Sequence, residues 1–269
     1  MSDVTGQDGT SVVEGDLIGI WRVGEVVCQT SNHRLHRAQS ADADGSNRWP
    51  YVIRVGTETT RAATGNWLRV AAKVTHPGLI AVVDGSAGAA LPFVVMPFVA
   101  GEQTTMSLPV ALWSARQVAE TLATLHDAGL VHGNVHPRHI LVGSDGQPML
   151  IDLGIAAPVH SVRPPGPMPD AGFAAPEALA VGYAAIPAMD VFSLGRTLWS
   201  WMIEVQRTGI DAADRDWIEA AELIESMVAV DPRDRPTMAL VIGRLSQIEL
   251  RSLQRSLSPV TQPPAAKAA

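Results

Sequence analysis

The sequence predicts an α+β fold of two unequal lobes, a small strand-rich one followed by a larger helical one. Three observations carry this. Short apolar runs rich in β-branched residues fill the first third of the chain. Apolar residues recur at helical spacing from Pro109 onward. Turn and helix-stop signals separate the two regimes. Residues 1–15 are polar and acidic and read as a disordered lead-in. A single domain is expected over 16–253, with the N-lobe at about 16–100 and the C-lobe at about 101–253. A disordered Pro/Ala tail is expected over 254–269.

Within the N-lobe, Ile18 to Val27 alternates loosely, and Tyr51 to Val55, Leu79 to Asp84 and Phe93 to Val99 are strand-length apolar runs. One helix is predicted from about Thr59 to Val74, stopped by His76-Pro77-Gly78. In the C-lobe, Val110 to Ala128 places Leu112, Ala115, Val118, Ala119, Leu122 and Leu125 on one helical face, with Gly129 as the stop. Further amphipathic helices are predicted over Asp190 to Val205, Asp216 to Val230 and Thr237 to Leu253.

At 46% hydrophobic residues the 269-residue chain can bury a sizeable core. Its net charge of -7 and the absence of a long basic run argue against nucleic acid or an anionic membrane as partner. The single cysteine, Cys28, suits a reducing compartment and is expected to be a small buried hydrophobe. No signal-peptide pattern is visible, and no apolar stretch approaches the ~20 residues that span a bilayer. The expected location is cytoplasmic, with the chain either complete or part of a larger protein.

The densest motif is LVHGNVHPRHILV, residues 130–142, followed by Asp152-Leu153-Gly154. Further on come Ala175-Pro176-Glu177, then Asp190-Val191-Phe192-Ser193-Leu194-Gly195, then Asp231-Pro232-Arg233-Asp234-Arg235-Pro236. In this order these segments resemble the HRDxKxxN, DFG, APE, DxWSLG and DPxxRP motifs of eukaryotic-like (bacterial-type) Ser/Thr protein kinases. The resemblance covers roughly Leu17 to Leu250 and implies a protein-kinase-like two-lobed fold. It also implies structural roles: Glu177 should pair with Arg235, and Asp190 should accept backbone hydrogen bonds that hold His132.

The chemical positions of the resemblance are altered. Phosphoryl transfer needs positioning, Mg²⁺ and a group that receives the hydroxyl proton. The catalytic Asp aligns with Asn134, whose amide cannot serve as a base at neutral pH. The catalytic-loop Lys aligns with His136, and the second metal-binding Asn with His139, a poor ligand for hard Mg²⁺. The glycine-rich loop aligns with Cys28-Gln29-Thr30-Ser31-Asn32-His33, without glycine to let the backbone cradle phosphates. Arg54 stands for the phosphate-binding Lys, Val52 for the small Ala above the adenine, and the Glu of the regulatory helix aligns near Trp67. A remnant nucleotide site would comprise Val52, Arg54, Met96, Val99, Leu141 and Asp152. Asp152 is then the one expected metal ligand, or else a turn Asp capping local amides.

The segment from Asp152 to Glu177 holds five prolines before the APE proline and one hydroxyl, Ser161; Asp170 falls where such kinases place a Thr. Gly133 replaces the Arg that would receive a loop phosphate. Trp49, in a polar stretch, is the candidate exposed anchor for a partner. The expectation is a pseudokinase that acts as a signalling scaffold or protein-interaction module, with no resident cofactor. Its partner would be a protein, such as an active kinase in a signalling complex. Two alternatives stay open: a divergent Ser/Thr kinase with residual ATP/Mg²⁺ binding or weak transfer, and a small-molecule phosphotransferase of the aminoglycoside or choline kinase type.

Overall fold

The computed structural model describes residues 12–30, 33–43, 49–100, 106–162, 168–180, 182–207, 209 and 214–257, with side chains as far as Ser252. Ser31, Asn32, Pro164, Pro165, Pro167 and residues 258–269 lie outside the described residues. Among the described residues, six strands form one antiparallel sheet in the order β1-β2-β3-β4-β6-β5. They are β1 (Leu17–Ile18), β2 (Trp21–Gln29), β3 (His33–Ser40), β4 (Tyr51–Gly56), β5 (Asp84–Ser86) and β6 (Phe93–Pro97). A short 3₁₀ turn, Glu58–Thr60, leads into helix α1 (Arg61–Ala71). Residues 12–15, expected in the lead-in, are placed on this lobe: Val12 packs against the sheet core, and the Gly15 N–H donates to the Val23 carbonyl at 2.8 Å.

The second lobe contains α2 (Leu108–Asp127), β7 (Leu130–Val131), β8 (Ile140–Val142), β9 (Pro148–Leu150) and β10 (Ala157–Pro158). Helices α3 (Pro187–Arg207), α4 (Arg215–Met227) and α5 (Met238–Leu257) complete it. All six residues predicted on the inner face of α2 are buried. Asp214 caps α4, its carboxylate accepting from the amides of Asp216 and Trp217 at 2.8 and 3.3 Å. At Gly195 an added Cβ would meet Met227 and Val228 side chains at 2.9 and 3.0 Å, so a bare backbone lets α4 seat directly on α3. Helix α5 runs four residues past the predicted end at Leu253.

One apolar cluster passes through both lobes, from Val52, Trp67 and Met96 to Leu122, Leu150, Leu153 and Leu194. A second cluster, including Trp21, Ile53 and Val95, fills the opposite face of the sheet. Period-2 alternation on β4 therefore divides the strand: Val52 and Arg54 face the cleft and α1, while Ile53 and Val55 face away.

Four expectations need correction. Leu79 to Asp84 is not one strand, since only Asp84 begins β5; Leu79 instead makes a lone parallel bridge to Leu150, and the Ile80 amide donates to the Leu150 carbonyl at 3.0 Å. That apolar run joins the lobes rather than extending the sheet. Strand β3 was missed because its buried residues are His36 and Ala38 rather than an apolar alternation. Cys28 is exposed, because β2 leaves the core after Gly24. Trp49 is only half-exposed and packs over Gly24, where an added Cβ would meet its ring at 3.1 Å; it is a cover for the sheet and not a free anchor.

Candidate functional site

The cleft between the lobes is framed by two polar anchors. The Asp190 side chain, fully buried at the start of α3, accepts from the amides of His132 and Gly133, both at 2.8 Å, and from His126 Nε2 at 2.9 Å. Burial opposes its ionisation, but the His126 hydrogen bond and the neighbouring donors outweigh this, and its pKa lies below the ordinary aspartate value. His132 is then fixed as the Nε2–H tautomer: Nε2 donates to the Ile151 carbonyl at 3.1 Å and Nδ1 accepts from the Asn134 amide at 3.2 Å. The pair expected between Glu177 and Arg235 is formed, bidentate, at 2.5 and 2.9 Å.

Between these anchors the loop from His132 to His139 presents its three altered residues together. Asn134 Oδ1 accepts from the Asp170 amide at 3.0 Å, and its Nδ2 lies 3.3 Å from His139 Nδ1. The Asp170 carboxylate accepts from Arg138. His139 Nδ1 donates to the Asn134 carbonyl at 3.1 Å, and its Nε2 points at Asp152 Oδ2 from 3.5 Å. The His136 ring stacks on that of His139, centroids 3.8 Å apart, with Phe173 beyond at 5.9 Å. Burial, followed by the nearby His139 and Arg138, holds the His136 pKa down at about 4.

Asp152 sits at φ 65°, a conformation few side chains adopt, and Oδ1 accepts from the Gly154 amide at 3.1 Å. Oδ1 thus caps its own turn, and Oδ2 faces His139. Burial would raise its pKa, but Arg54, His139 and the Gly154 amide together hold it below the usual aspartate value. Asn66 was not foreseen. From α1 its Nδ2 reaches the carbonyls of Leu153, Gly154 and Ala156 at 3.1, 3.2 and 2.6 Å, tying α1 to the Asp152 turn. The one signal available was an Asn inside a helix, where its side chain competes with the backbone unless it has a distant partner.

On the small-lobe side, Arg54 forms no ion pair within 4 Å among the described residues, and Asp152 is the carboxylate whose charge it feels. Its guanidinium lies over the Trp67 ring at 5.4 Å, and Nη2 donates to His33 Nδ1 at 3.3 Å. Counting along α1 had placed Trp67 where the resemblance calls for a Glu, and Trp67 is indeed the side chain facing Arg54. Glu58 is spent on Arg61 at the helix start. Burial, reinforced by Arg54, pulls the His33 pKa to about 4, so the ring accepts as a neutral imidazole. The Thr30 amide donates to the His33 carbonyl at 3.0 Å and the His33 amide to Thr30 Oγ1 at 3.2 Å. Val52 and Met96 are buried in the shared core, while Val99 and Leu141 are half-buried at the cleft mouth.

Three features of the described residues bear on ATP and Mg²⁺. The amides of Thr30 and His33 are bonded to the His33 carbonyl and to Thr30 Oγ1. The Arg54 guanidinium is directed to His33 and Trp67. At Asp152 the neighbouring position offers imidazole where hard Mg²⁺ takes oxygen. Among the described residues no cluster of three His, Cys, Asp or Glu side chains could hold a metal, and no helix is long and apolar enough to cross a membrane.

The protein kinase domain family model matches residues 64–244, more than half of the chain. Serine/threonine-protein kinase AfsK of Streptomyces griseus is 34% identical over 129 residues, covering 44% of this chain and 16% of AfsK. Serine/threonine-protein kinase PknA of Mycobacterium tuberculosis is 37% identical over 145 residues, covering 47% of this chain and 33% of PknA. PknK of the same species is 28% identical over 223 residues, covering 67% of this chain and 19% of PknK. The chain thus spans a third or less of the length of these relatives. The match to the family model and these similarities place one conclusion on the geometry above: the chain belongs to the protein kinase domain family, of the bacterial Ser/Thr type.

Proposed function

We propose that this domain does not transfer phosphate and works as a pseudokinase, a protein-interaction module that keeps the kinase shape. The observation that carries the reading is the engagement of Asn134. Its carbonyl oxygen holds the Asp170 amide and its amide nitrogen faces His139, so no carboxylate stands where a substrate hydroxyl would deliver its proton. The segment that would be a phosphorylation switch is held by backbone contacts instead. The Val159 amide donates to the Gly129 carbonyl at 2.9 Å, His160 to Ala185 at 2.7 Å, and Ala185 to Ser161 at 2.9 Å. These contacts hold residues 159–161 against the helical lobe without a phosphate. The partner class that suits the domain is a protein, such as an active kinase within a signalling complex, rather than nucleic acid or membrane. The family matched gives the small-molecule phosphotransferase reading no support.

The test is transfer of labelled γ-phosphate from ATP, with Mg²⁺ or Mn²⁺, to the domain itself and to a basic protein substrate. No transfer is expected above background from the wild type or from Asn134→Asp, since one restored carboxylate leaves the turn, Arg54 and His139 unchanged. A thermal-shift titration with ATP and Mg²⁺ should likewise leave the melting temperature unmoved. A Mg²⁺-dependent shift abolished by Asp152→Ala, or autophosphorylation by Asn134→Asp, would establish the divergent-kinase reading in its place.

A further inference from the structure

Helices α3 and α4 lie side by side, and the border between them carries large apolar side chains open to solvent. The Cβ position of Gly195, in the first half of α3, approaches Ile224, Met227 and Val228 at the end of α4, so the two helices run antiparallel. Trp199 and Ile203 stand at i+4 and i+8 from Gly195, on the row of α3 that adjoins α4. The matching row of α4 runs back from Val228 through Glu225 and Ala221 to Ile218. At equal rise along the two axes, Trp199 is level with Ala221 and Ile203 with Ile218. Trp199 is 38% exposed, Ile203 37% and Ile218 45%. A half-open Trp beside two Ile is the composition of an interface centre rather than of a solvated helix face.

The charges on the two rims name the occupant. Arg196 lies on α3 just outside Trp199, and Glu222 and Glu225 lie just outside Ala221 on α4. All three are exposed, and none forms an ion pair among the described residues; Arg196 makes only a 3.3 Å bond from Nε to the Gly172 carbonyl. At the other end of the border the rim charges are already matched within the chain, Arg207 with Glu204 and Arg215 with Glu219. One rim therefore carries an unmatched cation and the other, at the same level, two unmatched anions. A two-fold axis along the border keeps every residue at its level and lays α3 of one copy over α4 of the other. Arg196 then meets Glu222 and Glu225 of the second copy, twice by symmetry, while both Trp199 rings enter the opposing border. We propose that this α3–α4 face joins two copies of the chain in a symmetric dimer. It uses none of the cleft residues, so it does not depend on whether the domain transfers phosphate.

The test is the mass of the full chain in solution, by sedimentation equilibrium across micromolar concentrations. The wild type should rise from monomer towards dimer mass, and Trp199→Asp should stay a monomer with an unchanged circular dichroism spectrum. Arg196→Glu alone, and Glu222→Lys/Glu225→Lys alone, should each weaken self-association by about tenfold or more, since symmetry applies each change twice. Mixed in equal amounts, these two variants should form a heterodimer of wild-type strength, because facing rims are then of opposite sign at both contacts. A wild type that stays monomeric, leaving the face to a different protein, overturns the proposal. So does a Trp199→Asp that still dimerises, or a mixture that associates no more tightly than its components. Should Trp199→Asp fail to fold, the mixture decides, since its substitutions all lie on exposed residues.

Discussion

Replacing Arg235 with Met tests the polar anchor under the helical lobe. The Arg235 side chain is fully buried and uses its donors completely: Nε to the Ala229 carbonyl at 2.8 Å, Nη1 to Glu177 and the Ala188 carbonyl, and Nη2 to Glu177 and the Val230 carbonyl. It also lies over the Phe192 ring at 4.9 Å. Met fills much of that volume but leaves the Glu177 carboxylate buried and uncompensated, with three carbonyls short of a donor. Breaking a buried pair in this way costs roughly 3–5 kcal/mol. At about 2–4 °C per kcal/mol for a domain of this size, the melting temperature should fall by roughly 6–20 °C. Urea denaturation gives the free energy directly, with an unchanged m-value confirming that native and denatured states are otherwise comparable. The double variant Arg235→Met/Glu177→Leu separates coupling from packing. It should lose less than the sum of the single variants, by about 2 kcal/mol or more, because no orphaned charge is left. Additive losses, or a single-variant loss under about 1 kcal/mol, would refute the account of this pair as the anchor.

Two further outcomes follow from the cleft. Asn66→Ala removes the donor to three carbonyls and should cost about 1–3 kcal/mol; hydrogen exchange should quicken over residues 61–71 and 152–156 together, and quickening confined to the helix would contradict the tie. Acid should destabilise the fold through His136. Its pKa is about 4 in the fold against an ordinary 6.5, so between these values the unfolded chain binds the extra proton, and stability falls from pH 6.5 and levels off below about 4. The full contribution is at most about 3 kcal/mol, and His136→Gln should lose correspondingly less stability between pH 7 and 4; parallel pH profiles for the two proteins would show that His136 is not the group.

Much of the architecture is written in apolar spacing. The inner face of α2 and the runs that became β4 and β6 each bury what their periodicity marks, because burial is decided locally there. Strand β3 escaped because its cleft side carries Arg37, whose guanidinium lies 3.5 Å over the Phe98 ring, and its other side buries His36, which bonds the Gly24 carbonyl at 3.1 Å. A polar sequence becomes a buried strand only when neighbouring strands supply such partners, and no window of sequence contains them. The candidate site was legible wherever a motif fixed the position, as with Asn134, Asp152 and Asp190. Asn66 was not, because its meaning depends on three carbonyls nearly ninety positions away. The pairing of Thr30 with His33 likewise rests on a local hydroxyl bond that the missing glycines do not announce.

The anchoring of His132 and Gly133 has a consequence for how the chain comes to be built. Their amides bond to Asp190, 58 and 57 residues further along. During synthesis from the N-terminus, α2 and the loop after it leave the ribosome well before their acceptor exists. Helix α2 can form from its own local hydrogen bonds, but the amides of His132 and Gly133 must wait for α3. A pause in translation between residues 140 and 190 would therefore hold the domain with its cleft unassembled, presenting an apolar helix face in search of cover.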